Sequence, residues 1–245
     1  MRDVIVLCYH AVHERWPAPL SVTPEALEWQ LSTLLRRGYK GVTFHQAVNG
    51  PGSGRHVAVT FDDAYLAVLE VAAPILSRLG LPATVFVPTR YPDRPDEPMA
   101  WPGIDRWVHG PYREQLRPMS WRQLEALAER GWEVGSHTRS HPRLTTLGDD
   151  ALRDELEGSK LDCERALGRP CHSLAYPYGD HDPRVVAAAS DAGYASAGTL
   201  PGRLRQGGPL EWPRVGVYQA DGGWRFRLKV SPAVRRLRAS ALWPR

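Results

Sequence analysis

The chain has 245 residues, of which 42% are hydrophobic and 24% charged, and its formal net charge is +4. This size gives ample core for one α/β barrel-type domain or for two small domains. No run of about 18 apolar residues is present, which argues against a membrane-spanning helix. The three cysteines, Cys8, Cys163 and Cys171, are odd in number and too few for a disulfide framework.

The first predicted strand is Val4–Cys8, and it is followed by Tyr9 and His10. This apolar run is too short for a signal peptide, and no small-residue cleavage site follows it. We therefore expect a cytoplasmic protein, and the low cysteine count agrees with that compartment.

Strands and helices alternate along the rest of the chain. The strand candidates after the first are Tyr39–Phe44, Val57–Phe61, Thr84–Val87, Trp132–Gly135, Cys171–Tyr176, Tyr194–Ala197 and Val215–Tyr218. Helices are predicted over Pro24–Arg37, Tyr65–Leu79, a segment capped by Ser120, Asp149–Leu167 and a segment opened by Asp182. Four helices end in a glycine that leads into a strand, a pattern typical of parallel sheets with helices outside. About seven strands favour a distorted (β/α) barrel over an open doubly wound sheet.

We predict one barrel domain over residues 1–224. Two segments of the chain depart from the alternation of strands and helices. A proline-rich insertion over 90–118 carries Tyr91, Trp101, Trp107 and Tyr112, which either stack on sugar rings or pin the loop to the body. The tail over 225–245 is basic and amphipathic. It either contacts an anionic membrane surface or is a solvated terminus. The basic and apolar members of the tail are Arg225, Phe226, Arg227, Leu228, Lys229, Val230, Arg235, Arg236, Leu237, Arg238, Leu242, Trp243 and Arg245.

Polar side chains follow the predicted strands at one end. His10, Asp62, Asp63, His137 and Tyr178 all fall just past the carboxyl ends of strands. That face is where barrel enzymes build their active sites. Each residue alone has an ordinary explanation, such as a helix cap for Asp63, but their shared location favours a functional site.

Two histidines and a carboxylate form a common ligand set for a catalytic metal. His137 and His141 are four residues apart, so one helical turn would project both imidazoles from the same side. Asp63 is the natural third ligand. Asp62 would then stand beside the metal without binding it, free to act as a general base.

Three motifs in this order resemble those of the polysaccharide deacetylases, carbohydrate esterase family 4. They are Thr60-Phe61-Asp62-Asp63, His137-Thr138-Arg139-Ser140-His141-Pro142 and Tyr176-Pro177-Tyr178-Gly179. The opening Tyr9-His10-Ala11-Val12 resembles the branch of that superfamily linked to exopolysaccharide modification. The family fold is a distorted barrel with seven strands.

The resemblance implies that Asp63, His137 and His141 hold a divalent metal, usually zinc. It also implies that Asp62 is the base and that the backbone N–H of Tyr178 helps to bind the oxyanion. The implied substrate is an N-acetylated glycan, either a polysaccharide or its lipid-linked or oligosaccharide precursor. Because no signal peptide is recognised, we expect a lipid-linked or nucleotide-linked intermediate at the inner membrane face to be among the candidates.

Two positions depart from the family pattern. Ala175 stands where an arginine that orients the base is usual, and Arg214 is a candidate replacement. The late Leu-x-His motif, whose histidine protonates the leaving amine, is not evident. His10 and His181 are the candidate acids, although a buried structural histidine and a solvated loop residue are the alternatives. These departures leave open a catalytically silent carbohydrate-binding protein, and an amidase acting on a non-sugar amide is a third possibility.

Overall fold

The computed structural model describes residues 2–50, 52–94, 96–205, 207–241 and 243. Pro95 of the proline-rich insertion and Leu242 and Arg245 of the basic tail lie outside the described residues. Within the described part, no helix is both long and apolar enough to cross a lipid bilayer.

One sheet of parallel strands forms the body of the molecule. The strands are β1 (Arg2–Tyr9), β2 (Ala11–Val12), β3 (Ser21–Val22), β4 (Tyr39–Val42), β5 (Gly54–Phe61), β6 (Thr84–Val87), β7 (Glu133–Ser136), β8 (Ser173–Ala175), β9 (Ser196–Thr199), β10 (Trp212–Pro213) and β11 (Val215–Gly216). The order in the main sheet is β10-β9-β8-β7-β6-β5-β1-β11, with β4 beside β5, while β2 and β3 pair separately.

The sheet curls into a nearly closed barrel because its last strand is shared between both edges. The short strands β10 and β11 flank Arg214, and they pair with β9 and β1 respectively. Residues 212–216 thus act as one interrupted strand that joins the two edges. Counted in this way, seven strands follow one another around the barrel and β4 adds an eighth beside β5, which confirms the predicted distorted (β/α) barrel.

Helices cover the outside of the barrel. They are α1 (Pro24–Arg36), α2 (Phe44–Asn49), α3 (Ala73–Arg78), α4 (Trp121–Glu129), α5 (Asp149–Arg153), α6 (Ser159–Leu167), α7 (Pro183–Asp191), α8 (Gly223–Lys229) and α9 (Pro232–Ala239). A π-helical turn, Val68–Ala72, precedes α3, and another, Asp154–Gly158, joins α5 to α6. Helix α2 was not predicted: Phe44 begins it instead of ending a strand, because Thr43 and Gln46 form a capping box.

The barrel interior holds a small apolar cluster beneath the polar end. Val6, Ala58, Phe86 and Ala175 come from β1, β5, β6 and β8 and meet Phe44 of α2 there. Side chains two positions apart on a strand share a face. Cys8 and His10 therefore lie on the same inward face of β1 as Val6. Thr60 and Asp62 likewise lie on the inward face of β5 with Ala58. This parity places the candidate site at the top of the interior.

Helices α8 and α9 make up most of the described part of the basic tail. Phe226 and Val230 are buried, and Arg235 of α9 donates to the Val4 carbonyl and pairs with Asp3 at 2.5 Å. Helix α9 therefore lies against the amino end of β1, while Phe226 of α8 packs on Trp29 of α1.

Candidate metal centre and active site

Asp63, His137 and His141 converge at the carboxyl ends of β5 and β7. The Asp63 Oδ1 atom lies 3.5 Å from His137 Nε2 and 3.4 Å from His141 Nε2. All three side chains are buried, with exposed fractions of 2%, 1% and 5%. The structure thus brings together the three residues that the sequence predicts as metal ligands.

An unusual backbone conformation produces this convergence. Of the residues that the structure describes, five besides glycines have positive φ angles, and all belong to segments that line the site: Asp63, Ala64, Thr138, His141 and Tyr178. Left-handed backbone costs free energy for side chains of this kind and tends to persist where surrounding structure enforces it, often at functional sites.

The histidine segment therefore differs from the predicted helical turn. Residues 137–143 have no helical structure, and φ is 66° at Thr138 and 63° at His141. The Thr138 hydroxyl accepts a hydrogen bond from the His141 N–H at 3.1 Å. A tight local loop, not helical spacing, turns both imidazoles toward Asp63.

The charge environment of the three side chains suits a cation. Burial, followed by the charge of Asp62, raises the pKa of Asp63 well above its usual value. Burial lowers the pKa of His137 and of His141, so neutral imidazoles are favoured. A carboxylate that is costly to ionise beside neutral imidazoles gains from a bound divalent ion.

Donor atoms are also available. Asp63 Oδ1 is buried without a hydrogen-bond partner among the described residues. His137 Nδ1 lies 2.7 Å from the Ala175 carbonyl, so it donates there and leaves the Nε2 lone pair facing Asp63. Two imidazole nitrogens and a carboxylate oxygen form the ligand set of a catalytic metal with open positions. The residues present therefore fit a divalent metal such as zinc.

Asp62 is held apart from this group by a buried arginine. Arg214 donates from Nη1 to Asp62 Oδ1 at 2.6 Å and from Nη2 to Oδ2 at 2.8 Å. Burial alone would raise the pKa of Asp62, but the guanidinium of Arg214 holds it well below its usual value. Asp62 is therefore an ionised, oriented carboxylate at neutral pH.

Arg214 reaches Asp62 from the strand that closes the barrel, in the position that the sequence analysis suggests. The space it occupies depends on Gly198 of β9, because a Cβ there would lie 2.6 Å from Arg214 Nε. The guanidinium also lies over the Phe86 ring, 5.3 Å from its centre. A residue on a different strand thus supplies the cation that is missing at Ala175.

Cys8 is a member of the site that the sequence analysis did not assign. Its buried thiol donates to Asp62 Oδ2 at 3.3 Å, and burial raises the pKa of the thiol well above its usual value. Cys8 precedes His10 by two residues, so strand periodicity alone would have placed both on the inward face.

His10 lies beside Asp62, as its location after β1 predicts. Ligand atoms of Cys8, His10 and Asp62 lie within 4.8 Å of one another. Burial lowers the pKa of His10 to about 4, although the charge of Asp62 opposes that shift. The neutral imidazole is therefore the form present in the resting protein.

Tyr178 and His181 lie on the loop that follows β8. The Tyr178 ring packs edge-to-face on His141, with ring centres 4.7 Å apart, and its left-handed backbone borders the site. His181 stacks on Tyr176 and lies 3.6 Å from Glu211, so it is tied to the loop and is not a free solvated residue.

The aromatic residues of the proline-rich insertion pack against the body. Trp101 is 6% exposed and stacks on His141, with ring centres 4.2 Å apart and planes 18° apart. Trp107 packs edge-to-face on Trp16 and Tyr112. For Trp101 and Trp107, these contacts favour a role in fixing the insertion to the barrel over a role in stacking on sugar rings.

Comparisons with known proteins agree with this architecture. A family model described as polysaccharide deacetylase matches residues 49–197, which is more than half of the chain. The Bacillus subtilis (strain 168) protein named "Putative polysaccharide deacetylase YxkH" is 25% identical over 228 residues, covering 90% of this chain and 74% of that protein.

Solved structures share the fold. The Streptococcus pyogenes deacetylase PplD in complex with acetate matches with a TM-score of 0.78 and 21% identity, covering 94% of this chain and 99% of that chain. IcaB from Ammonifex degensii matches with a TM-score of 0.74 and 24% identity, covering 97% of each chain. At these identities the likeness concerns the fold alone.

Proposed function

The chain belongs to the polysaccharide deacetylase family, and from this membership and the geometry of the site we propose that it is a metal-dependent N-deacetylase of a glycan. The reaction hydrolyses the amide of an N-acetylated sugar, so that a C–N bond breaks and acetate and a free amine form. One observation carries the proposal: Asp63, His137 and His141 converge while Arg214 holds Asp62 apart as a separate carboxylate.

Asp63, His137 and His141 would hold the metal, with zinc the first candidate. When bound, such an ion supplies Lewis acidity for an amide carbonyl and lowers the pKa of water to about 7. The stacking of Trp101 on His141 and the bond from His137 Nδ1 to the Ala175 carbonyl fix the directions of the two imidazoles.

Asp62 would accept a proton from the attacking water. Its low pKa keeps it ionised at neutral pH. A carboxylate oxygen can accept two hydrogen bonds, and Oδ1 accepts one from Arg214, so it has room for a second from water. The bidentate contact with Arg214 fixes the direction in which that oxygen points.

Two further residues would complete the reaction. The backbone N–H of Tyr178 would donate to the oxyanion of the tetrahedral intermediate, an interaction worth roughly 3–4 kcal/mol in comparable sites. His10 would deliver a proton to the leaving amine. Because its pKa is about 4, His10 must first take up the proton that the water loses, through Asp62.

The substrate we propose is an N-acetylated polysaccharide or its lipid-linked or oligosaccharide precursor. The family description supports a glycan, and the acetate of the PplD complex is the product that this reaction would release. The contact between Arg214 and Asp62 also weakens one reason for the catalytically silent alternative, because it supplies the cation absent at Ala175.

The test is acetate release from N-acetylated chito-oligosaccharides and a wider glycan panel, with chelated and zinc-loaded protein. We expect turnover only with metal. Asp62→Asn should lower turnover about 10³-fold while metal content stays unchanged. Asp221→Asn, which disrupts the ion pair with Lys229 outside the site, should stay active.

Two outcomes would contradict the proposal. An active Asp62→Asn protein shows that the base is wrongly assigned. A metal-loaded protein that releases no acetate from any glycan of the panel favours the silent binding protein, and release from simple amides alone favours the amidase.

A further inference from the structure

A basic groove with exposed apolar side chains lies at the end of the barrel opposite the site. It has a volume of about 550 Å³ and runs between helix α8 and the amino ends of β4 and β5. Its basic members are Arg37, Arg55 and Arg227, and its apolar members include Trp224 and Leu228. We call these five residues the basic groove.

The positive charge of the basic groove is only partly offset by carboxylates, since the charge of Asp3, which pairs with Arg235, also acts on Arg55. Among the described residues, none of Arg37, Arg55 and Arg227 forms an ion pair, although Arg55 donates to the Arg37 carbonyl and Arg227 lies over the Trp29 ring.

A neighbouring cavity of about 740 Å³ shares Arg55 with the groove and extends the basic surface. It adds Arg205, Arg235 and Arg236, against the single carboxylate of Asp3, which pairs with Arg235. The positive potential therefore spreads over a broad surface and is not focused on one pocket.

The apolar members of the groove are unusually exposed. Trp224 is 70% exposed and Leu228 is 50% exposed. They are four residues apart in α8, so they share one face of that helix. Arg225 and Arg227 flank Trp224 and Leu228 in the same turns. An exposed tryptophan and leucine among arginines are typical of helices that lie in the headgroup region of a membrane.

We propose that the basic groove docks the protein on an anionic lipid bilayer. The charge complements acidic headgroups, and Trp224 and Leu228 supply the apolar anchors that a soluble anion would not need. The groove lies at the amino ends of the strands and the catalytic site at their carboxyl ends. Docking through the groove therefore turns the site away from the bilayer, toward a glycan that extends from it.

The test is co-sedimentation of the full chain with vesicles of phosphatidylcholine alone or mixed with phosphatidylglycerol. We expect binding to the mixed vesicles at least about tenfold tighter than to the neutral ones, and weakened by salt. Trp224→Ser combined with Arg227→Glu should lower the affinity at least about tenfold, since each charge near the surface contributes about fivefold.

A matched control exists on α6. Leu161 is 46% exposed and precedes the exposed Arg165 by four residues. Leu161→Ser combined with Arg165→Glu should leave vesicle binding unchanged. If the α8 variant does not fold, as judged by circular dichroism, Arg37→Glu at an exposed position replaces it, with an expected loss of at least fivefold.

Three outcomes would overturn the proposal: equal binding to neutral and anionic vesicles, unchanged binding of the α8 variant, or an equal loss in the α6 control. Binding to heparin without binding to vesicles would instead identify a soluble polyanion as the partner. None of these measurements depends on deacetylation, so failure here is separate from failure of the proposed function.

Discussion

Asp62 and Asp63 are adjacent in sequence but lie in opposite electrostatic environments. Arg214 donates to Asp62, and its charge lowers the pKa of Asp62 despite the burial of that carboxyl. The thiol of Cys8 also donates to Asp62. Asp63 has no such cation, and burial raises its pKa. Asp62 is therefore kept ionised by the protein itself, whereas the ionised form of Asp63 would be stabilised by a bound metal ion.

The burial of His10 can be tested by measuring stability as a function of pH. Its pKa is about 4 in the folded protein and near 6.5 when solvated. Below pH 6.5 His10 binds a proton in the unfolded chain but not in the folded protein. The free energy of unfolding therefore falls as the pH decreases toward 4. Between pH 7 and pH 5 this linkage amounts to about 2 kcal/mol.

We expect chelated His10→Asn protein to lose about 2 kcal/mol less stability over that interval than the chelated wild type, measured by urea unfolding. His109→Asn, at an exposed position, controls for the loss of a histidine. Parallel pH profiles for the wild type and His10→Asn would show that His10 is solvated.

The proline-rich insertion contacts the candidate metal centre through Trp101, which stacks on His141. It returns along the strand end, where the Met119 N–H donates to the Ala64 carbonyl and the Leu66 N–H to the Arg117 carbonyl. Between these ends, Trp101 covers His141. The insertion therefore forms one wall of the candidate metal centre.

We expect Trp101→Ala to weaken zinc binding about tenfold, because His141 loses the ring that fixes its orientation. The same change should lower stability by about 3 kcal/mol. Calorimetric titration with zinc measures the affinity. Trp107→Ala removes a tryptophan of the same insertion that contacts Trp16 and Tyr112, and it should leave the affinity unchanged. An equal loss in both variants would attribute the effect to loosening of the whole insertion.

At the scale of the whole molecule, the charged groups whose burial lowers stability lie together at one end of the barrel. The site buries two carboxylates, two histidines and an arginine, while the interior beneath it holds an apolar cluster and the opposite end carries the basic groove. Because Asp63 has a raised pKa, the chelated protein loses stability as the pH rises from the usual aspartate value toward the raised pKa of folded Asp63. A bound cation would recover that loss.

We expect zinc at 100 times its dissociation constant to stabilise the wild type by about 2.7 kcal/mol, which raises Tm by roughly 5–10 °C. In chelator, Asp63→Asn should be more stable than the wild type at pH 7, because it removes a buried unpaired carboxylate. Zinc should then add little to Asp63→Asn, whereas Asp62→Asn should keep the full gain. Thermal unfolding with and without zinc separates these outcomes, and an undiminished gain in Asp63→Asn would remove Asp63 from the ligand set.

The sequence by itself determined the barrel and the end of it that carries the site, because alternating strands and glycine-ended helices leave few arrangements and parallel strands align their carboxyl ends. It also predicted the convergence of Asp63, His137 and His141. Only the tertiary structure decided that a left-handed loop, and not a helical turn, joins the two histidines, since backbone strain of this kind is stabilised by distant contacts. The same holds for Arg214, which reaches Asp62 across the barrel because Gly198 leaves it space, a contact between residues more than 150 positions apart.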